Sequence, residues 1–128
     1  MVNPTGGKIR SDSMGDGHYG SRRGRRTHKG VDYLCTPGQK VRSPIGGILV
    51  RAASPYADDQ NYTGVYIEGD NIAIKMFYCK PTVPIGTKIK AGEAFAVAQD
   101  ISTKYGEEMK PHVHLEIASM NPLMVREI

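Results

Sequence analysis

The sequence predicts a mainly β domain, an antiparallel sandwich or barrel, on three observations. Short apolar runs of strand length recur along the chain with turn residues between them. Glycine and proline are frequent, 15 and 8 of 128 residues, so turns are many. No stretch carries a heptad or other helical pattern, and no internal repeat is present.

Residues 1 to about 26 are rich in Gly, Ser, Asp and Arg without apolar periodicity, and read as an irregular basic arm over the surface. Residues 27–128 read as one domain, because 128 residues with 39% apolar content suffice for a single core. Gln39 to Ser43 alternates, and Ile45-Gly46-Gly47-Ile48-Leu49-Val50 reads as a buried strand with a close backbone approach at the glycines. Ser54 to Thr63 is a polar loop. Gly64 to Glu68 and Ile72 to Tyr78 flank Gly69-Asp70-Asn71, which signals a hairpin. Pro84-Ile85-Gly86 turns into a short strand at Lys88-Ile89-Lys90, and Ala91-Gly92 turns into Ala94 to Ala98. A polar loop, Gln99 to Lys110, precedes a last strand from His112 to Ile117.

The formal charge is +4, but Arg22, Arg23, Arg25, Arg26 and Lys29 fall within eight residues. Such a cluster either attracts an anionic polymer or is a solvated loop. No nucleic-acid fold signature accompanies it. No segment reaches the roughly 18 apolar residues of a membrane span. Met1 to Gly7 has no apolar h-region, so no signal peptide is visible. Cys35 and Cys79 sit in no CxxC pair; buried free thiols are expected, with one bridge between them as the alternative.

The chemistry-bearing residues fall in two places. In the last strand side chains alternate, so His112, His114 and Glu116 share one face while Val113, Leu115 and Ile117 take the other. The two imidazoles lie about 7 Å apart along the strand, so one can bind a metal while the other stands beside it as acid or base. An HxH pair alone is equally two polar residues on a wet face. The second place is Thr27-His28-Lys29-Gly30-Val31-Asp32, where Gly30 and Val31 disfavour a helix and a turn can bring imidazole and carboxylate together. Two His and one Asp make a common catalytic zinc set with an open fourth position.

His28-x-Gly30-x-Asp32 followed by His112-x-His114 resembles the paired signature of the lysostaphin/LytM family of zinc peptidases. The flanking Gly30-Val31-Asp32-Tyr33, Pro37-Gly38 and Val41 to Gly47 agree, and the resemblance runs from about Tyr19 to Ile117. It implies a small antiparallel β-sheet with a zinc-containing groove and long loops. It implies zinc held by His28, Asp32 and His114, and His112 as general base or orienter of the attacking water. It further implies a zinc-dependent endopeptidase acting on the peptide stem or cross-bridge of bacterial peptidoglycan.

One feature departs from the family. Its members usually carry a further histidine in a Tyr-x-His-Leu segment of the central strand, whereas this chain reads Lys75-Met76-Phe77-Tyr78-Cys79-Lys80-Pro81. Here it is similar to the vertebrate leukocyte cell-derived chemotaxin branch, regarded as zinc-binding and non-peptidase, so a catalytically inactive zinc module binding a glycan or protein is the alternative. If the chain is a peptidase, Tyr78, Lys80 or His18 must replace the oxyanion donor. Tyr78 is favoured because a phenol donates while neutral, though it can equally be a packed aromatic. Glu116 either supports a ligand or faces solvent. The expected setting is the bacterial wall or periplasm, reached as a monomer and, without a visible signal, as a phage or prophage product made in the host cytoplasm or carried on the virion.

Overall fold

The computed structural model describes residues 1–12, 15–17, 22–23, 26–27 and 30–120, with the backbone alone at 15–16, 22–23, 26–27 and 120. His18, Arg25, His28 and Lys29 lie outside the described residues, and the side chains of Arg22, Arg23 and Arg26 are likewise outside them.

Two small hairpins occupy the N-terminal segment: β1 (Ser11–Asp12) with β2 (Gly15–Asp16), and β3 (Arg22–Arg23) with β4 (Arg26–Thr27). Then come β5 (Val31–Leu34), β6 (Lys40–Arg42), β7 (Gly47–Ala53), β8 (Gly64–Glu68) and β9 (Ile72–Phe77). β10 (Cys79–Pro81), β11 (Lys88–Ile89), β12 (Ala94–Ala98), a single helical turn α1 (Ser102–Tyr105) and β13 (His112–Met120) complete the chain. The main sheet has the order β11-β7-β8-β9-β13-β5 and the smaller one β10-β12-β6, with every pair antiparallel. The expected mainly β, antiparallel architecture is therefore present. No helix among the described residues is long and apolar enough to cross a membrane.

The core lies between the sheets. Leu49, Val65, Ile67, Ile74, Met76, Val113 and Leu115 point inward from the main sheet, against Val41, Cys79, Phe95 and Ala96 of the smaller one. Each large apolar side chain so buried contributes about 1.5–3 kcal/mol. The hairpin at Gly69-Asp70-Asn71 forms, closed by Gly69 N–H donating to the Ile72 carbonyl at 2.8 Å.

Two readings are corrected. Ile45 to Val50 is not a strand buried on both faces: Leu49 is fully buried, while Ile48 and Val50 are 47% and 40% exposed. The strand covers the core on one side only, and its apolar run hides the alternation. The close approach is real, since a Cβ on Gly47 would stand 2.5 Å from the Glu68 carbonyl oxygen. Within the N-terminal segment, read as an irregular arm over the surface, Lys8, Arg10 and Gly17 are held along β5. Arg10 N–H donates to the Asp32 carbonyl, Asp32 N–H to Gly17, and Leu34 N–H to Lys8, each at 2.8 Å. Pro4 and Arg10 are buried.

Both cysteines are free thiols; Cys79 is buried, as the first alternative expected, whereas Cys35 is half-buried. Burial pushes Cys79 up to about 12 and Cys35 up to about 11, with Asp100 adding to the latter. A raised acid pKa means the fold favours the neutral thiol. That contribution is whole below the ordinary value near 9 and is lost as pH climbs through about 12. Native protein treated with iodoacetamide at about pH 8 should therefore leave Cys79 unmodified and label Cys35 slowly, whereas denatured protein should take two labels. Mass spectrometry of intact protein and peptides reads this directly. Rapid native labelling of Cys79 would contradict its burial.

Candidate active site

The site is a cross-strand row. His114 on β13 pairs in register with Asp32 on β5 and with Phe77 on β9, so the three side chains stand abreast on the face away from the core. Asp32 Oδ1 lies 2.9 Å from His114 Nδ1, and the Phe77 ring stacks on the imidazole at 5.7 Å between centroids. The other imidazole nitrogen, Nε2, lies 3.3 Å from Glu116 Oε1. Glu116 thus supports His114 rather than simply facing solvent.

Glycines admit the row. A Cβ on Gly30 would stand 2.4 Å from the Leu115 carbonyl oxygen and 2.8 Å from His114 Cε1. The glycine of the His-x-Gly-x-Asp pattern is therefore demanded by the Leu115 carbonyl first and by the imidazole beside it second. On the far side, a Cβ on Gly64 would meet the Phe77 ring at 2.8 Å.

His112 shares this face of β13 but is only 3% exposed. Its Nδ1 lies 2.8 Å from the Lys110 carbonyl, which only accepts, so Nδ1 carries the proton and Nε2 holds a lone pair. That Nε2 faces Asp32 Oδ2 at 3.7 Å. Burial lowers the His112 pKa, with nearby Asp32 opposing, and keeps the imidazole neutral near neutral pH.

Arg10 had no signal in the sequence, because nothing in a polar, aperiodic segment marks one arginine as buried. It is 1% exposed and donates from Nε to Asp32 Oδ2 at 3.1 Å and from Nη1 to Asp12 Oδ1 at 2.8 Å. Asp12 Oδ2 in turn accepts the Lys110 N–H at 2.9 Å.

A groove of about 340 Å³ opens over the row, lined by Asp32, His114, Phe77 and Tyr78 together with Tyr56 and Tyr105. Strand alternation predicts either Phe77 with Cys79 or Met76 with Tyr78 on this side. Neither holds: Phe77 and Tyr78 both line the groove, while Met76 and Cys79 are fully buried in the core. Tyr78 adopts φ 68°, the only positive φ of a non-glycine residue among those described, and the chain switches sheets there. Such a conformation costs on the order of 1–3 kcal/mol. Backbone bonds hold it, from Tyr78 N–H to Thr63 and from Gln99 N–H to Tyr78.

The Tyr78 ring packs edge-on against His112 at 5.2 Å. Its hydroxyl lies 3.0 Å from Tyr56 Oη, which accepts from Tyr105 Oη at 2.8 Å. Each hydroxyl has one proton. Tyr105 donates to Tyr56, either hydroxyl of the Tyr56–Tyr78 pair can donate to the other, and where Tyr56 does so the Tyr78 proton remains for the groove. Burial raises the Tyr78 pKa, so the phenol stays neutral. Lys80 is exposed on β10 and does not line the groove.

An imidazole nitrogen and a carboxylate oxygen at 2.9 Å form a donor pair that suits zinc. Among the described residues no set of three His, Cys, Asp or Glu converges on a metal position. The third donor expected from the sequence, His28, lies outside them.

Fold and groove together define a small β-domain of the lysostaphin-like class. The catalytic domain of lysostaphin from Staphylococcus simulans superimposes with a TM-score of 0.57 at 23% identity, covering 87% of this chain and 83% of that one. A variant catalytic domain of the prophage-encoded M23 protein EnpA from Enterococcus faecalis gives 0.59 at 22% identity, covering 90% and 82%. The model of peptidase family M23 matches residues 26–124, and the chain belongs to that family, whose members are in general zinc metallopeptidases. Leukocyte cell-derived chemotaxin-2 of Bos taurus is 35% identical over 106 residues, 82% of this chain and 69% of its own length.

Gly30→Ala should disturb the row directly. Its methyl meets a backbone oxygen that cannot yield, so a loss of about 1–3 kcal/mol is expected, as for other overpacked sites. Urea unfolding of the metal-free variant measures it. Unchanged stability would mean that β5 can move away from β13 at no cost.

Proposed function

We propose that the chain is a zinc metallo-endopeptidase hydrolysing peptide bonds of bacterial peptidoglycan. The observation that carries this reading is the buried His112 imidazole, whose unprotonated Nε2 stands 3.7 Å from Asp32, the carboxylate that pairs with His114. His28, Asp32 and His114 would hold the zinc, with Glu116 accepting the single ring N–H of neutral His114, at Nε2, and so leaving the lone pair of Nδ1 for the ion. When bound, zinc supplies a Lewis acid that polarises the scissile carbonyl and acidifies water.

The rest is done by the chain. His112 Nε2 takes the proton of the attacking water and returns it to the leaving amine, while the Lys110 carbonyl holds the tautomer that makes this possible. Tyr78 donates its remaining proton to the oxyanion. Tyr56 and Tyr105 line the groove beside the row, and the arginine cluster at 22–26 would hold anionic wall polymers. The activity would act at the bacterial wall.

Incubating the protein with purified peptidoglycan, with and without chelator, should release peptide fragments identifiable by mass spectrometry only when metal is present. A second reading has its own support: no histidine stands in the Lys75 to Pro81 segment, and similarity to the chemotaxin extends over most of the chain. A wild-type protein that holds zinc, binds wall material and releases nothing would favour this inactive binding module.

Metal content and chemistry separate the histidines. The purified protein should carry close to one zinc per chain, and His114→Ala should lose most of it. His112→Ala should keep the metal and lose about 10²–10⁴-fold in rate. Zinc lost from His112→Ala would reverse the two assignments.

Tyr78→Phe tests the donor. It should lower kcat by about two orders of magnitude with little change in KM, zinc content or melting temperature. An unchanged kcat would remove Tyr78 from the mechanism and leave His18 or the zinc alone in that role.

A further inference from the structure

Arg10 lies outside the stretch matched by the family model, residues 26–124, yet reaches the carboxylate at the centre of the row. The N-terminal segment delivers it in register. Both backbone groups of Asp32 are taken by that segment, its N–H by the Gly17 carbonyl and its carbonyl by the Arg10 N–H. A Cβ on Gly17 would stand 2.7 Å from Asp32 Cβ, so the approach is as tight as a glycine allows. An arginine 1% exposed is costly to bury unless its charge is met, and Asp12 and Asp32 meet it.

The two oxygens of Asp32 face different partners. Oδ2 receives Arg10 Nε, and Oδ1 faces His114 Nδ1. We propose that Arg10 is a positioning residue that holds Oδ2 of Asp32, so that the carboxylate offers a metal Oδ1 alone. This rests on the reading that Asp32 and His114 hold zinc. Asp12 offsets the guanidinium charge, so Arg10 contributes direction rather than net positive charge beside a cation. Through Asp12 the guanidinium also ties this carboxylate to the backbone N–H of Lys110, the residue whose carbonyl fixes the His112 tautomer. Ligand and base are thereby oriented by one buried ion pair. Lysine carries the charge without the planar fork, and so cannot serve both carboxylates in this geometry.

The test uses the full chain stripped of metal and reloaded with zinc or cobalt(II). Wild type, Arg10→Lys and Arg10→Met are compared by chelator competition, by the visible spectrum of the cobalt form, and by melting of the metal-free protein. Arg10→Lys, which keeps the buried charge, should fold and bind zinc about 10–100-fold more weakly. Its cobalt bands should lose intensity, because a freed Oδ2 raises the coordination number. Arg10→Met should show the same spectral change if it folds, and its failure to fold leaves Arg10→Lys to decide.

Wild-type affinity and spectrum in Arg10→Lys would overturn the positioning role while leaving the metal centre intact. Weaker zinc binding with an unchanged cobalt spectrum and a lower melting temperature would overturn it too, in favour of a purely structural ion pair. A wild-type chain that takes up no metal overturns the zinc reading and the positioning role together.

Discussion

The site depends on a buried ion pair. Arg10 and Asp32 are almost fully removed from water, and separating such charges from solvent costs several kcal/mol each unless geometry and hydrogen bonds recover it. Once paired, neither can drift without stranding the other. Through Asp12 and the Lys110 peptide that rigidity passes to His112, and through Oδ1 of Asp32 it passes to His114. A general base and a metal ligand work only when held to within a fraction of an ångström. Here the holding is electrostatic, and it is done by a segment with almost no apolar residues to pack.

The sheet supplies the other half of the positioning. Antiparallel pairing sets directly opposed side chains on the same face, so Asp32, His114 and Phe77 stand abreast as a result of register alone. The opposite face of β13 carries Val113 and Leu115 into the core. A one-residue slip of β13 would exchange the two faces, burying charge and exposing apolar surface. Core packing therefore fixes the register that makes the site. Gly30 and Gly64 let aromatic rings lie against neighbouring strands where any Cβ would collide.

This division explains what could be read from the chain. The hairpin at Gly69-Asp70-Asn71, the two faces of β13 and the His-x-Gly-x-Asp and His-x-His pairs are local patterns, visible in short windows. Arg10 is not local: its partner lies 22 residues away, and no periodicity marks it. Tyr56, from the loop after β7, meets Tyr78, and Tyr105, at the end of α1, meets Tyr56; composition identifies both stretches only as polar. The position of Tyr78 escaped the alternation rule because that rule assumes unbroken extended backbone, and a φ of 68° at this residue breaks it. Ile48 and Val50 misled for the opposite reason, since apolar side chains on an exposed face look in sequence like a core.

The same broken backbone bears on the histidine that the central strand lacks. A regular strand passing through this position would point either Phe77 or Tyr78 at the groove, but not both. The left-handed turn at Tyr78 lets Phe77 brace His114 while Tyr78 stands over His112. Tyr105 donates to Tyr56, and where Tyr56 in turn donates to Tyr78 the Tyr78 proton is left for the groove. A neutral imidazole also donates one proton, but it gains a second near neutral pH, whereas burial holds this phenol neutral well above that range. A donor of this kind adds no charge to the groove and does not titrate with the base. Of the two buried groups in contact, the neutral His112 carries at Nε2 the lone pair that accepts a proton, and so the proton-transfer role of the proposed mechanism falls to it.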